Sequence, residues 1–279
     1  MKKFKVGLQL YGVRNSMKED FEGTLRAVAE MGYEYVEFAG YYDKTSEEIK
    51  ALLEKYGLKC VSVHQGLDFF DEDPDGKCEF LKGFGVKYSV IPWYEKGKLA
   101  QSSEWDATVS RFNKVADIFE KHGMMLGYHN HEFEFEKYNG KYLHDYIFES
   151  VPESKIFPEL DTCWVHYAGV EPTEMIRKYK GRVEVVHLKD FTCDRLGGGP
   201  AYELIDTDGN GEKQKPSRED NNFRFCPLGN GRQNFAEILS ACEECGTELV
   251  IVEQDQSYDL SELEAARISR EYLKNTFGI

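Results

Sequence analysis

The chain has 279 residues, 41% of them hydrophobic, with 35 Lys and Arg against 50 Asp and Glu, a formal net charge of −15. That length suits one α/β barrel, which typically needs ~250 residues, as well as it suits two domains, and the core is large enough to need no disulfide staples. The acidic balance argues against nucleic acid, whose phosphates it would repel. No stretch approaches the ~20 apolar residues of a membrane span, and Met1-Lys2-Lys3-Phe4 leads straight into a strand without a signal peptide. Seven scattered cysteines fit reduced thiols and a cytoplasmic location.

Read in chain order, short apolar runs alternate with helix-like segments. Strands are expected at Lys5–Leu10, Tyr35–Ala39, Lys59–His64, Lys87–Ile91, Met124–His129, Ile156–Asp161, Val183–Leu188 and Glu248–Glu253. Helices are expected at Phe21–Met31, Ser46–Tyr56, Lys77–Phe84, Glu104–His122, Tyr142–Ser150, Thr173–Tyr179, Phe235–Cys245 and Ser261–Phe277. Gly32, Gly57, Gly85, Gly123, Gly181 and Gly246 follow helical runs as left-handed C-caps would. Ser46 with Glu48, and Ser261 with Glu264, resemble helix N-terminal signals. Eight alternations with mostly short links imply an α/β fold, a single-domain (β/α)8 TIM barrel over residues 1–279. An open doubly wound sheet would use fewer strands, and no GxGxxG follows the first one.

Two segments stand apart from this rhythm. Asp190–Gly231 is long and rich in Gly, Pro, Asp and Asn. Because it follows the seventh strand closely, it is expected to lie over the barrel mouth as a lid. Cys242 and Cys245 form a CxxC, but one at the end of a helix rather than at the start of one, and without a second pair. They read as two helix cysteines.

The residues that end the strands carry the functional signal. Strand C-termini converge on one mouth of such a barrel, where active sites sit. Asp161, His187 and Glu253 end consecutive strands six, seven and eight. A buried carboxylate is costly unless a cation compensates it, and an Asp, a Glu and a His arriving together suit a divalent metal. Strand five ends in His129-Asn130-His131-Glu132, and alternation puts His129 and His131 on one face. His64 ends strand three, Glu37 lies near the end of strand two, and Trp93, Trp164, Lys189 and Asp190 lie near strand ends as candidate substrate contacts, with buried packing as the alternative for the two tryptophans. Lys189 alternates onto the face of His187. Phosphate recognition is not expected: no Gly-rich loop with Lys and Ser/Thr appears.

Four marks taken together resemble the sugar phosphate isomerase/epimerase family of the xylose isomerase-like barrel superfamily. They are Glu159-Leu160-Asp161-Thr162-Cys163-Trp164, Val186-His187-Leu188-Lys189-Asp190, Pro227-Leu228-Gly229-Asn230-Gly231 and the Glu253 that ends strand eight. The resemblance runs from Val6-Gly7-Leu8-Gln9-Leu10 to the last helix and implies a metal held by an acid of strand five with Asp161, His187 and Glu253. Strand five departs from that pattern, because His129 stands where ketose epimerases of the superfamily carry a glutamate. Either imidazole would complete the site, with Glu132 or Glu134 supplying a base from the loop. Two histidines, an Asp and a Glu suit Mn, Fe, Co or Zn better than Mg. The superfamily's DNA-repair endonucleases need further histidines, one of them at a position that here is Trp164.

The chemistry implied is proton abstraction next to a carbonyl of a sugar or keto-sugar, with catalytic roles for Glu253, His129, His131 and Glu132. Returning the proton gives an isomerase or epimerase, the leading expectation. Loss of a β-substituent gives a keto-sugar or keto-inositol dehydratase or lyase, and a non-catalytic sugar-binding barrel is a third reading. No nucleic-acid or membrane partner is expected. No helix shows a heptad seam for a coiled-coil dimer, which leaves a homo-oligomer open.

Overall fold

The computed structural model describes residues 4–197 and 221–279. Eight parallel strands close in chain order: β1 (Lys5–Gln9), β2 (Tyr35–Phe38), β3 (Lys59–His64), β4 (Tyr88–Ile91), β5 (Met125–His129), β6 (Ile156–Asp161), β7 (Val185–Leu188) and β8 (Leu249–Val252). β8 returns to β1 through the register Lys5↔Leu249, so the sheet has no edge. The expected (β/α)8 barrel is the fold observed, and the largest difference in strand position is at the start of β7. No described helix is long and apolar enough to cross a membrane.

Helices follow the strands at Phe21–Glu30, Ser46–Tyr56, Pro74–Gly83, Trp105–Lys121, Leu143–Glu149, Pro172–Lys178, Phe235–Cys245 and Glu262–Phe277. The six expected glycine stops all take positive φ, from 68° at Gly123 to 105° at Gly85. The cap expected at Ser46 sits one residue earlier. Thr45 accepts from the Glu48 amide and Glu48 returns a bond to the Thr45 amide, because a capping box needs Glu at the third helical position. Two short helices were not visible as periodicity, Arg14–Glu19 and Thr162–Tyr167. The second starts because Asp161 Oδ1 accepts from the amides of Cys163 and Trp164.

Inside the barrel, the period of two along each strand stacks side chains in layers. The lower layer is apolar: Tyr35, Val90, Phe157, Val185, Leu249 and Ile251 pack together. Two residues further along the same strands the layer turns polar, with Glu37 above Tyr35, Glu159 above Phe157, His187 above Val185 and Glu253 above Ile251. Another two residues along, at the mouth, stand Asp161, Lys189 and Asp255. The apolar floor excludes water beneath the ionisable groups, and the strand ends hold those groups in register.

The long segment after β7 is tied at both ends. Asp190–Thr192 pairs antiparallel with Arg224–Cys226. The central part of the expected lid, residues 198–220, lies outside the described residues. Cys242 and Cys245 are free thiols buried on the helix Phe235–Cys245, as the sequence implies.

Candidate functional site

The polar layer is a chain of imidazoles and carboxylates with hardly any solvent. Glu37, Glu159, Asp161 and His187 are fully buried, and His129, Glu253 and Lys189 nearly so. Gln9 Nε2 donates to Glu37 Oε2 at 2.8 Å. His187 lies among three carboxylates, with Nε2 2.7 Å from Glu37 Oε2 and 3.1 Å from Glu159 Oε1, and Nδ1 2.9 Å from Glu253 Oε2. His129 directs Nδ1 to Glu159 Oε1 at 3.1 Å and Nε2 towards Asp161 Oδ2 at 3.5 Å and Glu253 Oε2 at 3.9 Å. His64 Nε2 meets Glu159 Oε1 at 2.6 Å.

Among the described residues, these contacts bring together two sets of candidate ligands that share His129 and His187. One is His129, Asp161, His187 and Glu253, and the other is His64, His129, Glu159 and His187, with ligand atoms within 4.8 Å of one another in each. The two imidazoles use opposite nitrogens for the two sets. Carboxylates behind a histidine ligand commonly fix its tautomer and aim its other nitrogen at a metal. Glu37 and Glu159 stand in that position behind the rings, while Glu253, in the same layer, and Asp161, at the mouth, face the opposite nitrogens.

The electrostatics follow the same division. Burial alone would lower the pKa of His187, but Glu159, Glu37 and Glu253 outweigh it and hold the ring well above the usual histidine range. Burial, reinforced by the His187 and His64 rings, keeps His129 below that range. Burial and the neighbouring His129 and Lys189 hold His131 well below it. Burial opposes ionisation of Glu253, yet Lys189 and His187 bring its pKa well below the usual carboxylate range. Asp255, two residues beyond, is pushed up to about 6 by burial, against the pull of Lys189.

The outer set fits a divalent ion. Two neutral-capable imidazoles and two carboxylates are the donors that Zn, Fe, Mn or Co accept. Asp161 Oδ1 is engaged by two backbone amides, while its Oδ2 accepts no aligned hydrogen bond and faces a cation, the Lys189 ammonium at 2.9 Å. The four residues expected from the sequence as metal ligands, Asp161, His187, Glu253 and His129, are the ones that meet there.

A cavity of about 560 Å³ opens on this group. His64, His129, His131, Lys189, Glu253 and Asp255 line its floor, and Tyr11, Tyr41, Phe69 and Trp93 line its wall. Lys189 is the one Lys or Arg among the described lining residues, and carboxylates already hold it, so none of these residues offers a free cationic side chain to a phosphate.

Three expected site residues, Trp164, Asp190 and Glu132, are not among the residues that line the cavity. Trp164 is fully buried, because the chain turns into a helix directly after Asp161; it stacks on Phe223 at 5.5 Å and lies beneath the Lys189 ammonium. Asp190 alternates away from Lys189, and its oxygens accept from the amides of Phe191, Gly229, Gly231 and Gln233, which pins the Pro227–Gly231 turn. Glu132 is buried but does not line the cavity. Sequence reading left out Gln9, Glu159 and Asp255 and named Glu37 only as lying near a strand end. The alternation that placed Lys189 also places Glu159 two residues before Asp161 and Asp255 two residues after Glu253.

Comparison with known proteins agrees with this architecture. The family described as xylose isomerase-like TIM barrel matches residues 25–276. An inosose dehydratase of Clostridium beijerinckii is 25% identical, covering 99% of this chain and 98% of its own length. One from Geobacillus kaustophilus is 26% identical over 62% of each chain. A sugar phosphate isomerase/epimerase from Parabacteroides distasonis superposes with a TM-score of 0.77 at 21% identity, covering 99% of this chain and 96% of that one. The IolI protein with a bound zinc atom superposes with a TM-score of 0.68 at 19% identity, covering 97% of each chain. The chain belongs to the xylose isomerase-like TIM barrel family.

Proposed function

We propose that this barrel is a metal-dependent enzyme that removes a proton next to the carbonyl of an uncharged keto-sugar or keto-inositol and then expels a β-oxygen substituent, as a lyase. The observation that carries this reading is the meeting of His129, Asp161, His187 and Glu253 beside a cavity with no free cationic side chain among its lining residues. The curated relatives named inosose dehydratase, including one matched over nearly its whole length, support elimination as the outcome.

His129, Asp161, His187 and Glu253 would hold a divalent ion, and the chemistry it would supply there is Lewis acidity towards the substrate carbonyl. The chain's own residues do the rest. His131 lines the cavity, and burial keeps its imidazole neutral, so it is suited to take the α-proton. The C–H electron pair becomes the carbon–carbon double bond while the β C–O bond breaks, and the departing oxygen leaves with a proton as water or an alcohol. The Asp255–Lys189 pair, 2.9 Å apart at the same cavity, is the donor for that proton. Tyr41, Phe69 and Trp93 exclude water along the wall.

Isomerase or epimerase chemistry is the second reading. It is favoured by the presence of two proton carriers, His131 and Asp255, on one cavity. Against it stands strand five, which offers His129 where a two-carboxylate epimerase needs a second acid.

Proton NMR in D₂O of the Zn²⁺-loaded protein with ketoses, keto-inositols and 3-keto-glycosides tests the proposal. Expected are loss of the α-proton signal and growth of an unsaturated product. Asp161→Asn is expected to lower the rate by roughly a thousandfold, the several kcal/mol an electrophilic metal contributes. Exchange without elimination would favour the isomerase reading. Metal binding without exchange on any of these compounds would turn the reading to a sugar-binding barrel.

A further inference from the structure

The Lys189 side chain is buried to within 1% of full enclosure and lies in the candidate metal group. Its ammonium meets Asp161 Oδ2 at 2.9 Å, Glu253 Oε2 at 2.8 Å and Asp255 Oδ1 at 2.9 Å. The rings of Trp164 and Phe225 lie 5.3 and 5.6 Å from the same nitrogen. Two of its three carboxylates are thus the candidate ligands of the ion, reached through the very oxygens that face His129. The third, Asp255, belongs to neither candidate ligand set and lines the cavity.

We infer that Lys189 is the resident counter-cation of this site, and that a divalent ion loads by displacing its ammonium from Asp161 and Glu253 towards Asp255. The inference rests on the metal reading given above. Its physical basis is competition: the ammonium, 2.9 Å from Asp161 Oδ2 and 2.8 Å from Glu253 Oε2, takes up the two oxygens that a divalent ion shared by this quartet would need. Without either cation, buried Asp161 and Glu253 would stand uncompensated, a state costly enough to make some cation obligatory. Lys189 reaches all three carboxylates from a flexible four-carbon stem. Release of two leaves it the third, so the ammonium is not stranded. Displacement also frees the ammonium, already among the cavity's lining residues, from two of its carboxylates, which joins metal loading to assembly of the site.

A double-mutant cycle read by isothermal titration with Zn²⁺ tests this. Lys189→Met removes the competitor, and the metal is expected to bind at least tenfold more tightly. Asp255→Asn removes the resting place of the displaced ammonium, and binding is expected to weaken about tenfold in the otherwise native chain and not at all in the Lys189→Met background. Equal weakening in both backgrounds would mean that Asp255 acts on the ion directly and would overturn the inference, as would unaltered affinity in Lys189→Met.

A measurement on the unmutated protein guards against misfolding of the variants. Acetylation of Lys189 by acetic anhydride, followed by peptide mass spectrometry, is expected to rise severalfold when Zn²⁺ is added. Unchanged labelling at saturating Zn²⁺ would overturn the inference while leaving the metal reading intact. Absence of Zn²⁺ binding in the native chain and in Lys189→Met would bring down both.

Discussion

Glu159 shows how much a residue outside the proposed ligand quartet can decide. It is fully buried, and three imidazoles reach it: His64 at 2.6 Å, His129 at 3.1 Å and His187 at 3.1 Å. Burial resists its ionisation, yet His187, His64 and His129 pull its pKa well below the usual range, so the carboxylate stays charged. It thereby holds the Nδ1 edge of His129 and the Nε2 edge of His187, leaving the opposite nitrogens to face Asp161 and Glu253. Glu159→Gln should keep the shape and lose the charge. The expected result is a ~10–100-fold loss of metal affinity, the usual effect of altering a partner behind a histidine ligand, measured by competition with a coloured chelator. Unchanged affinity would show that packing alone aims the two rings. The sequence made His129, Asp161, His187 and Glu253 legible because each ends an apolar run. Glu159 was hidden because it sits inside such a run, where a buried acid is unfavourable taken singly and makes sense only beside three histidines from other strands.

At the scale of elements, the barrel works because β2, β6, β7 and β8 carry an apolar residue below and an ionisable one above, and β1 and β5 make room for the lower layer with Gly7 and Gly127. A Cβ on Gly127 would stand 2.7 Å from Val90 Cγ2 and 2.8 Å from Phe157 Cζ. The Phe157 ring is itself packed at 4.9 Å against Tyr88. Gly127→Ala is therefore expected to overpack the lower layer and destabilise the fold by about 1–3 kcal/mol, read as a lower urea midpoint at unchanged slope. A variant as stable as the native chain would mean that this layer has slack. Strand positions were legible because their β-branched runs are bounded by breakers, and helix stops because Gly57 or Gly246 can take positive φ where other residues would be strained. The helix Thr162–Tyr167 was not legible. Its start depends on one side chain, Asp161, capping two amides, and its six residues give no periodicity to read. Of the two roles open to Trp164 from the sequence, stacking on substrate or buried packing, the helix selects packing, in the cluster of Tyr167, Phe223 and Phe225.

At the scale of the molecule, closure of the sheet makes its first and last units neighbours, and a few polar contacts lock that seam. Arg270, on the last helix and buried, donates from Nε to the Gly32 carbonyl at 2.9 Å and from Nη1 to the Ile279 carbonyl at 2.6 Å. Beside it, the Tyr33 hydroxyl donates to the Ala266 carbonyl at 2.8 Å, so the turn after the first long helix is bound to the last one. Lys5 and Leu249 join the two strands beneath. Since the β1–β8 pairing closes the polar layer, loosening this seam loosens the frame that holds Gln9 and Glu37 against His187. Removing Arg270 leaves buried carbonyls without donors, which costs about 1–3 kcal/mol. Arg270→Ala should lower the urea midpoint accordingly, and Arg270→Lys should recover only part of the loss, because a single ammonium cannot span both carbonyls as the guanidinium fork does. Full recovery by lysine would mean that charge, not the two-pronged geometry, holds the seam.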